Sequence, residues 1–323
     1  MNFKTYLKNN QLSKSTVNHY YMHVMDFISF LDKDNTEIEN ATTKEILLYL
    51  SILQKKGVGN VTRKIRLYAL KHFFNYQIEN KTRTDNPAKR IKINTKQIQQ
   101  ITTILTKQEL QAIYQNYQVP TKNDKRKHFN WFKNYRLSKE RNKVIISLLI
   151  HQGLTTAEVS RIQIDDLNLR KGEIDIRGGR IGKDRTLALK SSQIIDLMEY
   201  QFKTRNELVI YQKPKCASLG EDAVGSWEKQ LFLSVPTSGK KYASTNGNLQ
   251  IWKGLTKELK AQNPKLLKLQ HIRKSVIVNW LKNYNLREIQ YKAGHRNIYS
   301  TEMYLINDID DLQAEIEKHH PIR

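Results

Sequence analysis

A tyrosine becomes a nucleophile toward phosphorus only with help. Its phenol has a pKa near ~10, so attack at neutral pH needs cationic neighbours or a base, and the charge developing on phosphorus needs donors of its own. The segment from Gly294 to Tyr304, Gly-His-Arg-Asn-Ile-Tyr-Ser-Thr-Glu-Met-Tyr, places His295 nine positions before Tyr304. Cations recur upstream at Arg180, Lys183 and Arg273, the last within Leu269-Gln270-His271-Ile272-Arg273-Lys274-Ser275. Arginine offers a forked donor pair to a phosphate, and Gln270 can hydrogen-bond a phosphoryl oxygen without exchanging a proton. Histidine at 271 or 295 can do both, and a lysine can act as an acid. One tyrosine among 16 carries no such message by itself, because most tyrosines simply pack with the hydroxyl bonded. The elements around it decide.

The chain has 323 residues, 39% of them hydrophobic and 27% charged, which suits two soluble domains each with its own core. No apolar run approaches the roughly 18 residues of a membrane span, and the N-terminus lacks a signal-peptide core, so a cytoplasmic location is expected. The single cysteine, Cys216, excludes an internal disulfide framework and a cysteine-based zinc site. No other ligand cluster calls for a metal, and no cofactor motif is present. The net charge of +24 makes nucleic acid the default partner. Residues 1–100 hold 17 Lys and Arg against 8 Asp and Glu, so the excess lies in both halves, as in a clamp and unlike a basic tail.

Residues 1–93 read as helices with short polar links. Ser13 to Thr16 offers N-caps for a run in which Val17, Tyr20, Val24, Phe27 and Ile28 recur at helical spacing. A second helix starts near Thr43, with Glu45 in its first turn, and ends at Gly57. A third runs from about Val61 and carries Arg63, Lys64, Arg66 and Lys71 on a polar face expected to meet phosphate. Asn86-Pro87 breaks the pattern, and residues 94–104 form a linker. Thr106 and Glu109 then make a capping box that opens a domain over 105–323. The basic stretch from Lys122 to Arg141, with Phe129, Trp131, Phe132 and Tyr135, reads as a DNA-contacting insertion or a solvated loop, and helix is expected from Asn142 to Leu154. Residues 173–177 alternate as a strand, 178–184 make a glycine-rich turn, and 185–189 return. The stretch from Ile306 to Lys318 reads as an acidic amphipathic helix.

The Gly-His pair with a tyrosine nine residues on, the Gln270 to Ser275 phrase and the Leu12-Ser-Lys-Ser-Thr start resemble the tyrosine recombinases, the phage-integrase family. The resemblance covers nearly the whole chain. It implies a mainly α fold with a small antiparallel β-sheet, in which a helical core-binding domain precedes an α+β catalytic domain. It implies a site-specific recombinase acting on double-stranded DNA through a 3′-phosphotyrosine, with Tyr304 as nucleophile and with Arg273 and His295 on the scissile phosphate. Lys183 or Arg180 would assist the leaving oxygen, with Gln270 or His271 serving the second box. It further implies a monomer when free, a homotetramer in the synapse, tails that often dock on a neighbouring protomer, and room for accessory proteins.

The sequence departs from that pattern at two places. Thr155 stands where the family has its first arginine, within Gly153-Leu154-Thr155-Thr156-Ala157-Glu158, so either another cation such as Arg161 or Arg180 fills the gap or phosphate activation is weakened. Gln270 stands where a histidine is usual. Both departures keep open a non-catalytic DNA-binding relative, and a nicking-closing topoisomerase would share the same phosphotyrosine.

Overall fold

A computed structural model describes residues 2–95, 103–121, 123–179, 182–211, 228–236 and 247–305. The chain divides into two compact units, residues 1–100 and 101–323. Among the described residues no helix is long and apolar enough to cross a membrane.

The first unit is a helical bundle. Helix α1 (Phe3–Asn9) is capped by the Asn2 side chain and α2 (Lys14–Leu31) by Ser13. Helix α3 (Thr43–Lys55) opens on a capping box between Thr42 and Glu45, and α4 (Asn60–Glu79) follows after one short link. Their apolar stripes meet in a core that includes Leu7, Phe27, Leu31, Ile46, Leu70 and Phe74. The return segment is strapped onto the bundle by polar contacts. Thr43 Oγ1 donates to the Pro87 carbonyl at 3.0 Å, and Lys71 Nζ donates to the carbonyls of Lys89 and Ile91 at 3.1 and 2.9 Å. The helix expected from Val61 begins at Asn60, and α1 had no counterpart in the sequence reading.

In the second unit, α5 (Lys107–Gln115) has the capping box of Thr106 and Glu109. Helix α6 (Phe132–His151) begins ten residues before the expected Asn142. Its charged first turns conceal a buried face of Phe132, Leu137 and Arg141, and Arg136 pairs with Glu140 and Glu207, so the basic stretch is largely helix. Then come α7 (Thr156–Val159) and a three-stranded antiparallel sheet of β1 (Leu167–Asn168), β2 (Glu173–Ile176) and β3 (Arg185–Ala188). The register sets Ile174 opposite Leu187 and Ile176 opposite Arg185. Helix α8 (Ser191–Glu199) runs through a π turn into α9 (Arg205–Val209). Helices α10 (Gly247–Gln262), α11 (Leu269–Leu281), α12 (Leu286–Ala293) and α13 (Tyr299–Glu302) complete the unit.

Two polar networks inside this core fix the elements that carry the site. Leu105 N donates to the fully buried Ser275 Oγ at 2.9 Å, and Asn279 Nδ2 donates to the Leu105 carbonyl at 2.8 Å, which ties the start of the unit to α11. At the end of α6, Gln152 Nε2 donates to the Ala188 carbonyl and Gln193 Oε1, and Gln193 Nε2 returns bonds to Gln152 Oε1 and Ser147 Oγ, all within 2.9–3.0 Å. A fully satisfied buried network of this kind holds one register among α6, β3 and α8. The linker and loop readings at 96–102 and around Pro214, Cys216 and Gly220 lie outside the described residues, as does the acidic tail from Ile306.

Candidate active site

Three short elements meet at Gly294. Helix α12 ends there because Gly294 takes up φ +69°, a left-handed turn that lets the chain reverse toward α13. A Cβ at this position would run into the Arg185 guanidinium, so glycine is required twice over, for its backbone angle and for the space. The β2–β3 turn lies alongside. Gly182 pairs with His295 in an isolated antiparallel bridge, and Lys183 N donates to the Gly294 carbonyl at 3.0 Å. Inside that turn Gly182 N donates to the Gly178 carbonyl at 3.2 Å and Gly178 N to Asp184 Oδ1 at 2.8 Å.

The charged hub of the site is Glu158, only 6% exposed. Its Oε1 accepts from Arg185 Nη1 at 2.7 Å, and its Oε2 accepts from Thr155 N at 2.8 Å, Thr155 Oγ1 at 2.9 Å and Arg273 Nη1 at 3.4 Å. Burial acts to raise its pKa, but Arg185, Thr155 and Arg273 outweigh it and hold the carboxyl below its ordinary value. Arg273 enters from one turn inside α11. Besides Glu158 it donates to the Gly153 carbonyl at 2.7 Å and the Ala293 carbonyl at 2.6 Å, and its Nη2 lies 3.2 Å from His295 Nε2.

That last contact settles the histidine's tautomer. A guanidinium has no acceptor, so His295 Nε2 must accept, and the ring proton sits on Nδ1, where it is donated to Thr301 Oγ1 at 2.9 Å. Thr301 is fully buried on α13. Burial, reinforced by Arg273 and Arg185, brings the His295 pKa down to about 4, so the imidazole is neutral at physiological pH. Tyr304 stacks on it with ring centroids 5.8 Å apart and planes 14° from parallel. The same tyrosine packs against the small cluster of Ile277, Ile289 and Ala293 and stands near Arg273. Tyr304, His295 and Arg273 thus stand together.

The other sequence-expected residues fall into different surroundings. Lys183 is exposed on the turn beside His295, while Arg180 lies outside the described residues. Gln270 is exposed one turn before Arg273 on the same side of α11. His271 faces the other way, among Lys265, Lys268 and Lys274, and burial followed by Lys274 lowers its pKa. Arg161 donates to the Arg177 carbonyl at 3.2 Å and lies against Gly179, bracing the base of the turn.

In the first unit, three of the four basic residues expected to face phosphate are engaged within the bundle. Arg63 is 9% exposed and donates to Gln54, Asn60 and the Leu50 carbonyl. Arg66 pairs with Asp26 and Tyr49, and Lys71 holds the strap described above. Lys64 is half-exposed. Sequence reasoning missed Arg185 and Thr301 as site residues. The signal for the first was its place in Lys183-Asp184-Arg185; for the second, only the spacing of six from His295.

Residues 1–81 match the phage integrase N-terminal SAM-like domain, and residues 105–309 match the phage integrase family. The tyrosine recombinase XerA of Pyrococcus horikoshii is 24% identical over 317 residues, which are 98% of this chain and 91% of that protein. Among solved structures, the fold is similar to XerH site-specific recombinase bound to its difH substrate, with TM-score 0.61, 19% identity, and 90% of this chain and 76% of that chain covered. It is also similar to a lambda integrase tetramer bound to a Holliday junction, with TM-score 0.56, 14% identity, and 94% and 74% covered. With family matches over most of its length, the chain belongs to the phage integrase family, the tyrosine recombinases.

Proposed function

We propose that this protein is a site-specific DNA recombinase that cuts and rejoins strands through a 3′-phosphotyrosine on Tyr304. The observation that carries this reading is the meeting of Tyr304 with a neutral His295 and with Arg273. The net charge of +24 supplies the affinity for duplex DNA. In the step itself, Tyr304 Oη bonds to phosphorus as the bond from phosphorus to the 5′ oxygen breaks, and the electron pair leaves on that oxygen. The phenol loses one proton and the 5′ oxygen gains one, so the step is proton-neutral overall. Attack of a 5′-hydroxyl from another strand reverses it, and the phosphodiester energy is kept in the tyrosyl ester throughout.

Arg273 is placed to hold the phosphate. Its two longer contacts, to Glu158 at 3.4 Å and His295 at 3.2 Å, are those a phosphate oxygen can replace, while the two carbonyl bonds fix the guanidinium. We assign the leaving-oxygen proton to Lys183, on the exposed turn bonded to Gly294, because an arginine, as at 180, holds its proton too tightly to be a good donor. Gln270 suits a phosphoryl hydrogen bond from Arg273's side of α11, whereas His271 does not share that side. Lys64 is our candidate for phosphate contact from the first unit. The partners are duplex DNA and further copies of the chain, four in the synapse, and the place of action is the cytoplasm, where the DNA is. Nicked duplexes carrying its binding site should yield a denaturant-resistant adduct with the wild type and none with Tyr304→Phe.

A further inference from the structure

The basic stretch ahead of α6 takes no part in the site described above. Asp124 caps a short 3-10 turn, Lys125–His128, by accepting from Arg126 N at 2.9 Å, and it holds the Arg126 guanidinium through Nε and Nη2 at 2.9 and 2.6 Å. Arg126 is thereby laid over the Tyr135 ring, 5.2 Å from its centroid. Lys125, Lys127 and His128 are exposed.

Two large aromatic side chains follow and stay in solvent. Phe129 is 57% exposed and Trp131 47%. Their rings stack on each other, with centroids 5.6 Å apart and planes 13° from parallel. Tyr135 braces Trp131 edge-on at 5.6 Å, and the buried Phe132 stands 6.3 Å away. Trp131 covers one face of Phe129, so the exposure of Phe129 lies on its other face. Such rings usually bury about 150–250 Å² each, and a braced pair left outside marks a surface that binds something.

The surroundings narrow the partner. Asp124, Glu140 and Glu207, the carboxylates bonded to this stretch among the described residues, each face an arginine, so Lys125 and Lys127 leave the surface positive. A second copy of the chain, itself at net charge +24, would bring like charge. Nucleic acid brings phosphates for the lysines, and an unpaired base brings a flat face for the rings, whereas a closed duplex keeps its base faces inside the stack.

We propose that Phe129 and Trp131, with Lys125 and Lys127, form a binding platform for unpaired nucleotides, separate from the active site. It lies at the opposite end of α6 from His151, about 30 Å away by the rise of a 20-residue helix. Because the neighbouring rings already hold Trp131 and Phe129 in place, little side-chain freedom is lost when a base stacks there. A cleaved strand must part from its complement before it joins another, which supplies unpaired nucleotides. That source rests on the recombinase reading; the binding itself does not.

The test is equilibrium binding by the full chain, read as fluorescence anisotropy. The probes are a labelled oligothymidylate, an abasic oligomer of the same length and charge, and a duplex, with melting curves for every variant. Wild type should prefer the oligothymidylate to the abasic oligomer by about 5-fold or more, the gain expected from stacking a single base. Phe129→Ala with Trp131→Ala should abolish that preference and leave abasic and duplex affinities unchanged. Phe129→Leu with Trp131→Leu, apolar without a ring face, should do the same and carries the comparison if the alanine pair does not fold. Phe129→Tyr alone should keep the preference. Lys125→Ala with Lys127→Ala should lower the salt slope on oligothymidylate by about 1.4, at about 0.7 per phosphate neutralised.

A wild type without preference for bases would overturn the inference. So would ring variants that weaken all three probes alike, which would leave the platform an ordinary duplex contact. Ring variants with unchanged nucleic-acid binding but lost self-association in sedimentation would overturn it in favour of a protein interface. None of these results bears on the covalent adduct at Tyr304, and a missing adduct would leave the binding comparison as it stands.

Discussion

Replacing Glu158 by glutamine should destabilise the second unit severely without changing its shape. Gln has the size of Glu and its amide oxygen can still accept from Thr155 N, so the start of α7 keeps its cap. What is lost is the charge facing Arg185, whose side chain has no exposure and whose Nη1 lies 2.7 Å from the carboxylate. Two unit charges at about 4 Å interact by about 4 kcal/mol at an effective dielectric of 20, and stranding one member of a buried pair costs about 3–5 kcal/mol. For a unit of this size each kcal/mol moves the midpoint by about 2–4 °C, so the melting transition of residues 101–323 should fall by roughly 8–16 °C. Scanning calorimetry of the full chain measures this.

The pH dependence carries the sign of the effect. The folded-state pKa of Glu158 is depressed, so its contribution is fully present above the unfolded value near ~4.3 and disappears as pH falls through the folded one. The wild-type and Glu158→Gln midpoints should therefore stand apart at pH 7 and converge in acid. A shift below 2 °C at pH 7, or a gap that persists unchanged in acid, would refute the buried-pair reasoning.

Three other outcomes follow from the same geometry. Gly294→Ala forces a Cβ onto a left-handed residue and into Arg185, which should cost about 1–2 kcal/mol from the backbone alone. Loss of adduct formation should exceed what the lowered melting point explains, as judged at a temperature where the variant is folded. His295, with its pKa near 4, should show no titration between pH 5 and 7 by NMR of its ring protons, and an inflection near 6.5 would contradict the assigned burial. Because the unfolded chain binds that proton first, the His295 contribution to stability rises with pH between about 4 and 6.5. Arg63→Ala should lower the melting point of the first unit, whereas Lys64→Ala should leave it unchanged and reduce the salt slope of DNA binding by about 1. The reverse pattern in calorimetry and salt titration would overturn both placements.

Much of the fold was legible because local chemistry writes it plainly. The capping box at Thr106–Glu109 lies within four consecutive residues, and the apolar periodicity of α2 and α3 needs no distant partner. Helix α6 begins earlier than expected because its first turns are charged, and one of the partners that hold Arg136 there, Glu207, lies far along the chain while the other, Glu140, is one turn away. Arg63 lies four residues before Leu67 and seven before Leu70, so helical periodicity itself put it on the core face. Its charge suggested solvent, and its partners Gln54 and Asn60 became visible only with the fold.

The candidate site divides in the same way. His295 and Tyr304 are near neighbours in sequence and could be paired by spacing. Arg185 reads as an ordinary strand arginine until Glu158, 27 residues earlier, and Gly294, more than 100 residues later, are folded around it. Side-chain direction separates Gln270 from His271, since adjacent positions on a helix point about 100° apart.

The central claim is that Tyr304 is a nucleophile toward a DNA phosphodiester, and covalent trapping tests it most directly. Wild type and Tyr304→Phe are incubated with nicked duplexes drawn from the flanks of the protein's own gene and resolved under denaturing conditions. The account predicts a protein–DNA adduct with wild type alone. An adduct of equal yield with Tyr304→Phe would place the nucleophile elsewhere, and tight binding with no adduct from either protein would contradict catalysis altogether.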